Sequence, residues 1–301
     1  MSLKHKPLLI VDGDSFAHRS YHALPKSIRR ADGGGGGLLT GVGNLLVRLW
    51  EEERPRAALV AWDTLTVPTY RHQALAAYQS GREFDAELLD QLELAPRLVE
   101  AMGLAYAKAA GYEADDFLAA GVAFEEARGG TALVASGDRD TFQLVSEHTT
   151  VLQPQKGGGP LLRIGPDGVR ERYGVDPEQV TDFIALRGDP SDKIPGARGV
   201  GAKTAALLLA QYGSLEAALT EGRFAAEADA LRLYHSIATM DRDAPLPPLD
   251  DQAPTWARAA ALADEWGLGR LAGRLEAQQE AQQEAQQEAQ QEAQREASSS
   301  S

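Results

Sequence analysis

Apolar residues in the first half of the chain alternate between short aliphatic runs and longer segments with helical spacing. The short runs have the length of buried strands and cover 8–11, 57–62 and 131–136. The helical segments cover 38–50, 69–80 and 86–102, and a further helix is predicted to begin near Glu113. Strands that alternate with helices predict an α/β fold with a mainly parallel central sheet and helices on both faces.

An aspartate closely follows each predicted strand: Asp12, Asp63 and Asp138. In an open α/β sheet the ligand crevice lies beyond the carboxyl ends of the strands, so these three carboxylates are expected to converge. An aspartate after a strand is often only a turn former. Three in equivalent places make that explanation weak for the set.

The second half of the chain has a different residue pattern, which predicts short helices separated by glycine and proline. We therefore predict three parts, which are an α/β core at 1–165, a helical subdomain at 166–275 and a low-complexity Glu-Ala-Gln-Gln tail at 276–301. A run of five glycines at 33–37 is predicted to be a flexible connection. The tail repeats every four residues, whereas a helix turns every 3.6, so it is predicted to be a solvated helix or a disordered appendage.

A helix-hairpin-helix is predicted at 188–212, where a Gly-Val-Gly turn leads into a helix. The small residues of such a turn let backbone N–H groups approach a phosphate closely. A P-loop needs a glycine directly before its lysine, whereas Ala202 precedes Lys203 here. Binding of a nucleoside triphosphate is therefore disfavoured.

Composition narrows the class of protein only slightly. The net charge is −14, but six glutamates and one arginine fall in 275–301, so the bulk charge does not decide the partner. The chain has no cysteine, which excludes disulfides, thiolate zinc sites and cysteine nucleophiles. No apolar run approaches the roughly 20 residues that span a bilayer, so we expect a cytoplasmic protein without membrane contact.

Further acids accompany the three strand-end aspartates: Glu113, Asp115, Asp116, Asp140, Asp189 and Asp192. Hard divalent cations prefer oxygen ligands, and several carboxylates crowded together require two or more cations. A pair of ions roughly 3.5–4 Å apart can activate water and stabilise the leaving oxygen of a phosphodiester. The acids therefore indicate phosphoryl chemistry on nucleic acid.

These residues resemble the 5′-nuclease family, which includes the 5′→3′ exonuclease domain of bacterial DNA polymerase I, its phage relatives and the flap endonucleases. The resemblance runs in order from about residue 7 to 250. It rests on the strings Val-Asp-Gly at 11–13, Tyr-His-Ala-Leu at 21–24, Trp-Asp at 62–63, Gly-Tyr-Glu-Ala-Asp-Asp at 111–116, Ser-Gly-Asp-Arg-Asp at 136–140 and Gly-Asp-Pro-Ser-Asp at 188–192. No polymerase domain follows, so we expect a free-standing nuclease or an excised domain.

The resemblance implies a PIN-like 5′-nuclease fold with a C-terminal helix-three-turn-helix, and it implies a metal site. Asp12, Asp63, Glu113 and Asp115 would hold a first ion. Asp138, Asp140, Asp189 and Asp192 would hold a second, with Asp116 close to both. The expected cofactor is Mg²⁺, with Mn²⁺ able to substitute, and K⁺ is a further candidate at the hairpin.

The resemblance also implies how the nucleic acid is held. The hairpin would grip the duplex backbone without reading sequence. Its DNA-binding residues would be Lys193, Arg198, Gly199, Gly201, Lys203 and Thr204. The expected substrate is DNA with a 5′ end or 5′ flap beside duplex, cleaved by a monomer in primer removal and repair. Whether RNA primers and a separate DNA polymerase are also partners stays open.

Residues 69–82 match the family's helical arch, through which the 5′ single strand passes. Arg71, Tyr78 and Arg82 follow the family pattern and are the expected catalytic residues. The family's lysine after Tyr78 is replaced by Gln79, which predicts slow cleavage that Gln79→Lys would accelerate. A catalytically weakened DNA-binding module of the same fold is the alternative.

Asp12 and Asp14 flank Gly13 after a strand, which also suggests a phosphatase. That function is disfavoured, because its chemistry places a threonine two residues after Asp14, where the chain has Phe16.

Overall fold

A computed structural model describes residues 6–65, 67–81, 83–157 and 159–299. Its centre is a six-stranded sheet in the order β3-β2-β1-β4-β5-β6. The strands are β1 Leu8–Asp12, β2 Ala57–Ala61, β3 Ala105–Ala107, β4 Ala132–Ala135, β5 Thr149–Gln153 and β6 Leu162–Ile164.

Helices alternate with the strands as far as β5, and the chain after β6 is mainly helical. They are α1 Gly13–Ala23, α2 Gly37–Glu53, α3 Tyr70–Ala74, α4 Ala86–Ala101, α5 Ala114–Ala127, α6 Pro166–Tyr173, α7 Val180–Arg187, α8 Ala202–Tyr212, α9 Leu215–Thr220, α10 Ala228–Ala238, α11 Trp256–Glu265 and α12 Gly269–Ser299. Short 3₁₀ helices lie at Asp140–Leu144 and Pro177–Gln179.

The sheet is mainly parallel, as the alternating pattern predicts. Strands β1, β2, β4 and β5 run parallel, and β6 is antiparallel to β5. The three predicted strands are entirely buried, which explains their continuous apolar runs. The other three escaped prediction because β3 and β6 are only three residues long and β5 mixes threonine with apolar residues.

Strand register decides where the strand-end aspartates lie. Asp12 is paired with Ala61 of β2, and Val11 is paired with Ala135 of β4. Three neighbouring parallel strands therefore end at the same level. Helix α5 packs against all three of them and begins on the same edge.

Within the described residues the chain forms two compact units, each assembled from separate segments. The first contains the residues up to Ser15 together with 55–84 and 106–250. The second contains 16–54, 85–105 and the residues from Asp251 onward. The boundary near residue 165 stays a prediction, because these units do not follow the order of the chain.

The five-glycine run in the second unit is not a loose connection, so that prediction is wrong. Gly35 forms a β-bridge with Arg29, and its carbonyl accepts a hydrogen bond from Arg30 Nη1 at 2.9 Å. A Cβ on Gly34 would lie 2.3 Å from the Arg30 guanidinium. The glycines are needed because the loop closes tightly around a buried arginine.

The arch segment, residues 69–82, differs from its prediction. The expected helix over 69–80 ends at Ala74, because Leu75 is extended at φ −135° and Gln79 is left-handed at φ +46°. Tertiary contacts override the helical spacing here, since Tyr78 is buried and the Gln79 backbone N–H donates to the Asp192 carbonyl at 3.4 Å.

The hairpin forms between α7 and α8, as predicted. Gly188 and Gly196 both have positive φ, and a Cβ on Gly196 would lie 2.4 Å from the Gly188 nitrogen. Only glycine allows this crossing of the two backbones.

The repeat tail continues helix α12. Leu271 and Leu275 at the start of this helix are buried, and the helix packs there against α2 and α11. The repeat that follows is mostly exposed over 276–291, so the solvated helix is confirmed over that range. Among the described helices, none combines the length and the apolar character needed to cross a membrane.

Candidate active site

The strand-end aspartates meet in one network of hydrogen bonds and charges. Asp12 Oδ2 accepts a hydrogen bond from the Ser136 hydroxyl at 2.6 Å, and the same hydroxyl oxygen accepts one from the Asp138 backbone N–H at 3.0 Å. Burial raises the pKa of Asp12 to about 7, and repulsion from Asp138 and Asp63 adds to that shift. The predicted convergence of the three carboxylates is confirmed.

A fourth carboxylate, Asp14, belongs to this group although the sequence analysis did not place it there. Asp14 is buried in the first turn of α1, and its Oδ2 accepts a hydrogen bond from the Asp63 backbone N–H at 2.6 Å. Burial raises its pKa, with Asp63 and Asp12 as contributing charges. Its position two residues after Asp12 was the available signal. Asp14 positions the backbone that carries Asp63.

Glu113 connects the arch segment to the first turn of α5. Its Oε1 accepts a hydrogen bond from the Thr69 hydroxyl at 2.7 Å, and its Oε2 accepts one from the Tyr78 hydroxyl at 3.0 Å. The Ala114 backbone N–H donates to Asp63 Oδ1 at 2.7 Å, which ties the start of α5 to the end of β2. The structure thus places Tyr78 where it orients a carboxylate.

Asp116 and Arg71 form a buried ion pair, a role that the sequence analysis did not predict for either residue. Arg71 Nη1 and Nη2 donate to the two Asp116 oxygens at 2.9 and 2.7 Å. Asp116 also accepts from the Tyr70 hydroxyl and from the backbone N–H groups of Glu113 and Asp241. These five hydrogen bonds saturate a carboxylate, which offers about four lone-pair sites. The geometry therefore favours a structural role for Asp116 over direct metal ligation.

Arg71 is equally occupied. Its Nε donates to the Ile237 carbonyl at 2.9 Å, Nη2 also donates to the Thr239 carbonyl at 3.2 Å, and Nη1 lies 3.3 Å from Glu113 Oε2. The residue is 2% exposed. Four hydrogen bonds and the contact with Glu113 enclose the guanidinium, so Arg71 holds α3 in place and is not presented to a substrate.

The second predicted group of acids lies around Asp140. Its backbone N–H donates to Asp138 Oδ1 at 2.9 Å. Burial raises the pKa of Asp140 well above its usual range, and Asp138, Asp189 and Asp192 contribute as neighbouring charges. The loop of the hairpin therefore brings its two aspartates to the strand-end acids.

Asp115 interacts with acids of both predicted ion sites, the first containing Asp12 and Asp63 and the second containing Asp138. Burial raises its pKa well above the usual range, and Asp138, Asp12 and Asp63 add to the shift by repulsion. We call the whole set the acidic cleft. It consists of Asp12, Asp14, Asp63, Glu113, Asp115, Asp138, Asp140, Asp189 and Asp192.

The acidic cleft suits hard divalent cations by its chemistry, since its oxygen donors repel one another in their charged forms. Among the described residues, however, no three acidic or histidine side chains form a ready-made metal cage. Mg²⁺ does not need one, because it keeps several waters and is usually held by one or two carboxylates plus substrate phosphates. The nine predicted ligands therefore stay a prediction, with Asp116 the least suited of them.

The metal-free protein is expected to lose stability as the pH rises from 5.5 to 7.5. A carboxyl whose folded-state pKa is raised binds more protons when folded than when unfolded, so its contribution to stability falls between the unfolded pKa near 4 and the folded value. For Asp12 the folded value is about 7. Calorimetry in chelator should show a falling melting temperature over this window, and Mg²⁺ should restore more stability at pH 7.5 than at 5.5. A rising melting temperature in chelator would contradict the electrostatics of the cleft.

The predicted DNA-binding residues of the hairpin lie on the surface. Arg198, Gly199, Gly201, Lys203 and Thr204 are all exposed. Helix α8 begins directly after Gly201, and no side chain caps its first turn. The backbone N–H groups of that turn are thus available to a phosphate.

Lys193 and Arg82 differ from the other predicted residues. Lys193 is exposed but bonds to the arch segment, because its Nζ donates to the carbonyl and the hydroxyl of Ser80. Arg82, an expected catalytic residue, lies outside the described residues.

Comparison with known proteins agrees with these features. Residues 7–174 match the 5′-3′ exonuclease N-terminal resolvase-like domain, and residues 175–260 match the 5′-3′ exonuclease C-terminal SAM fold. The chain is 42% identical over 217 residues to DNA polymerase I of Mycobacterium leprae, covering 70% of this chain and 23% of that protein. It is 37% identical over 260 residues to DNA polymerase I of Bacillus caldotenax, covering 82% and 29%. The chain thus spans about a quarter of the length of these relatives.

Solved structures share the fold. The bacteriophage T5 D15 flap endonuclease, crystallised with DNA and metal ions, superposes with a TM-score of 0.66 at 17% identity, covering 89% of this chain and 97% of that one. Since the two domain matches follow one another over most of the chain and carry the acids of the cleft, the chain belongs to the 5′-3′ exonuclease family.

Proposed function

We propose that this protein is a divalent-metal-dependent, structure-specific 5′ nuclease, which hydrolyses phosphodiesters at 5′ ends and 5′ flaps of DNA. The observation that carries the proposal is the acidic cleft, in which burial and repulsion raise the pKa values of Asp12, Asp115 and Asp140. A purely structural site would gain nothing from such repulsion, whereas bound cations relieve it.

The proposed roles divide the cleft as follows. Asp12, Asp63, Glu113 and Asp115 would hold one ion, and Asp138, Asp140, Asp189 and Asp192 would hold a second. Ions bound there would supply an activated water and charge stabilisation for the leaving oxygen. The protein's own part is to fix the carboxylates, as Ser136 does for Asp12 and Tyr78 does for Glu113.

The relatives support the substrate class. The T5 flap endonuclease was solved with DNA and metal ions. We extend the proposal to Mg²⁺ as the resident ion, with Mn²⁺ as a substitute and K⁺ as a candidate at the hairpin. We also place the enzyme in the cytoplasm as a monomer that acts in primer removal and repair. RNA primers and a separate DNA polymerase are further candidate partners.

The direct test uses a 5′-labelled flap beside duplex DNA. With Mg²⁺ we expect release of the flap as a short labelled product, and with excess chelator we expect none. Matched single-stranded and blunt duplex substrates should be cleaved more slowly, because specificity is for structure. Binding without cleavage in Mg²⁺ or Mn²⁺ would favour the alternative, a catalytically weakened DNA-binding module.

A second test concerns the hairpin. Lys203→Ala should weaken binding to duplexes of all sequences alike. It should also lower the slope of log affinity against log salt concentration by about 1, because one phosphate contact is lost. Fluorescence anisotropy with two unrelated duplexes over a salt series measures both effects. A change in preference between the two duplexes would mean that the hairpin reads bases.

A further inference from the structure

A phosphate that enters the acidic cleft meets negative charge, and within residues 69–81 the arch segment offers little positive charge against it. Arg71 makes four hydrogen bonds inside the protein, and its Nη1 also lies 3.3 Å from Glu113 Oε2. Position 79 is a neutral glutamine, whose amide donates to Asp192 Oδ1 and to the Tyr78 hydroxyl, both at 3.0 Å. Within the described part of the arch, neither Arg71 nor Gln79 therefore offers a cation at the mouth of the cleft.

Lys193 is placed to provide it. Its Nζ donates to the Ser80 carbonyl and, at 2.9 Å, to the Ser80 hydroxyl. Ser80 lines a pocket of about 380 Å³, whose walls also include Gln79 and two acids of the acidic cleft, Asp63 and Glu113. The ammonium group thus contacts a wall residue of this pocket, Ser80, which follows the neutral Gln79 in the chain.

The loop holds this lysine firmly. Lys193 lies between Asp192, which binds Gln79, and Ile194, which forms a two-way backbone pair with Asp189 at 2.8 Å in both directions. Its backbone is left-handed at φ +57°, a conformation that residues other than glycine, asparagine and aspartate rarely adopt. A lysine in this strained backbone conformation suggests that its side chain has a functional role.

We propose that Lys193 is a catalytic residue, which donates from its ammonium group to the phosphate being cleaved and so supplies the positive charge that Gln79 lacks. This inference rests on the nuclease function proposed above. In the described structure both partners of Nζ are neutral oxygens, so its charge is not cancelled by an ion pair. An ammonium has three donors, which leaves one for a phosphate oxygen while both bonds to Ser80 remain.

The rival explanation is that Lys193 only fastens the hairpin loop to the arch segment. The two roles differ in what they require. Fastening needs a hydrogen-bond donor of suitable length, which glutamine also offers. Catalysis needs the charge, because a neutral donor is about half as strong as a charged one towards an anion.

The test compares the wild type, Lys193→Gln, Gln79→Lys and the double variant. The measurement is the single-turnover rate at which each protein cleaves a saturating 5′ flap in Mg²⁺. Lys193→Gln should lower the rate at least about tenfold with an unchanged melting temperature. Gln79→Lys in the Lys193→Gln background should recover most of that loss. Gln79→Lys alone should gain less than about threefold, because a cation is already present. That last result revises the acceleration expected from the sequence.

Lys156→Gln is the matched control, since Lys156 is an exposed lysine of the first unit outside the acidic cleft and the hairpin, so both the saturated rate and the melting temperature should stay at wild-type values. A wild-type rate in Lys193→Gln would overturn the inference. So would a drop in melting temperature together with no rescue from position 79, because that is the behaviour of a fastener. If the wild type itself does not cleave in Mg²⁺ or Mn²⁺, the nuclease proposal fails and this inference fails with it.

Discussion

Asp115→Asn should abolish cleavage while making the metal-free protein more stable at pH 8. Asp115 lies where the charges of Asp12, Asp63 and Asp138 reinforce one another. Loss of a metal ligand removes several kcal/mol of transition-state stabilisation, about a thousandfold or more in rate. The neutral amide also ends the repulsion, so the melting temperature in chelator should rise at pH 8. This gain should shrink as the pH falls, because the raised pKa of the wild-type Asp115 carboxyl favours its neutral form.

Asp167→Asn is the matched control for this experiment. Asp167 is a fully exposed aspartate whose partner is Arg170, so both rate and melting temperature should stay at wild-type values. Single-turnover flap cleavage and calorimetry with and without Mg²⁺ measure the effects. If Asp115→Asn retained cleavage, Asp115 would not belong to the metal site. If it lowered stability in chelator at pH 8, the cleft would not be a site of repulsion.

Arg71→Met should destabilise the first unit severely. The substitution leaves Asp116, which has no exposed surface, without its charged partner. Breaking a buried ion pair by removing one member costs about 3–5 kcal/mol. At roughly 2–4 °C per kcal/mol, the melting temperature should fall by roughly 10 °C. Cleavage should fall as well, because Thr69 and Tyr78 flank α3 and both bond to Glu113.

Arg232→Met separates burial from bond geometry. Arg232 makes a similar two-bond contact with Glu216, at 2.7 and 2.9 Å, but on the surface. Exposed pairs of this kind contribute little to stability because water screens them, so the melting temperature should barely change. A loss of rate in Arg71→Met with no change in melting temperature would restore the catalytic role predicted from the sequence.

The location of the site follows from the sequence for a simple reason. Aspartates after successive parallel strands must meet, because neighbouring parallel strands end on the same edge of the sheet. Asp12, Asp63 and Asp138 can therefore be assigned to one cleft from the sequence alone. The run of acids at the start of α5 and the glycines around the hairpin could be identified in the same way.

The division of labour among the acids could not be predicted. Asp115 and Asp116 are chemically identical neighbours, yet successive residues on a helix point about 100° apart. One faces the other carboxylates of the cleft, and the other is buried against Arg71. The preference of acids for a helix's first turn applies to both and does not separate them.

Local patterning and strand direction are enough to predict the mainly parallel α/β sheet, the hairpin and the edge at which the carboxylates gather. The end of α3 at Ala74, the burial of Arg71 and the contact of Lys193 with Ser80 are set by long-range packing. These outcomes depend on contacts between residues more than 40 positions apart in the chain, such as Arg71 with Asp116 and Lys193 with Ser80. Hydrophobic periodicity carries no information about such pairs, since it records only which face of an element is buried.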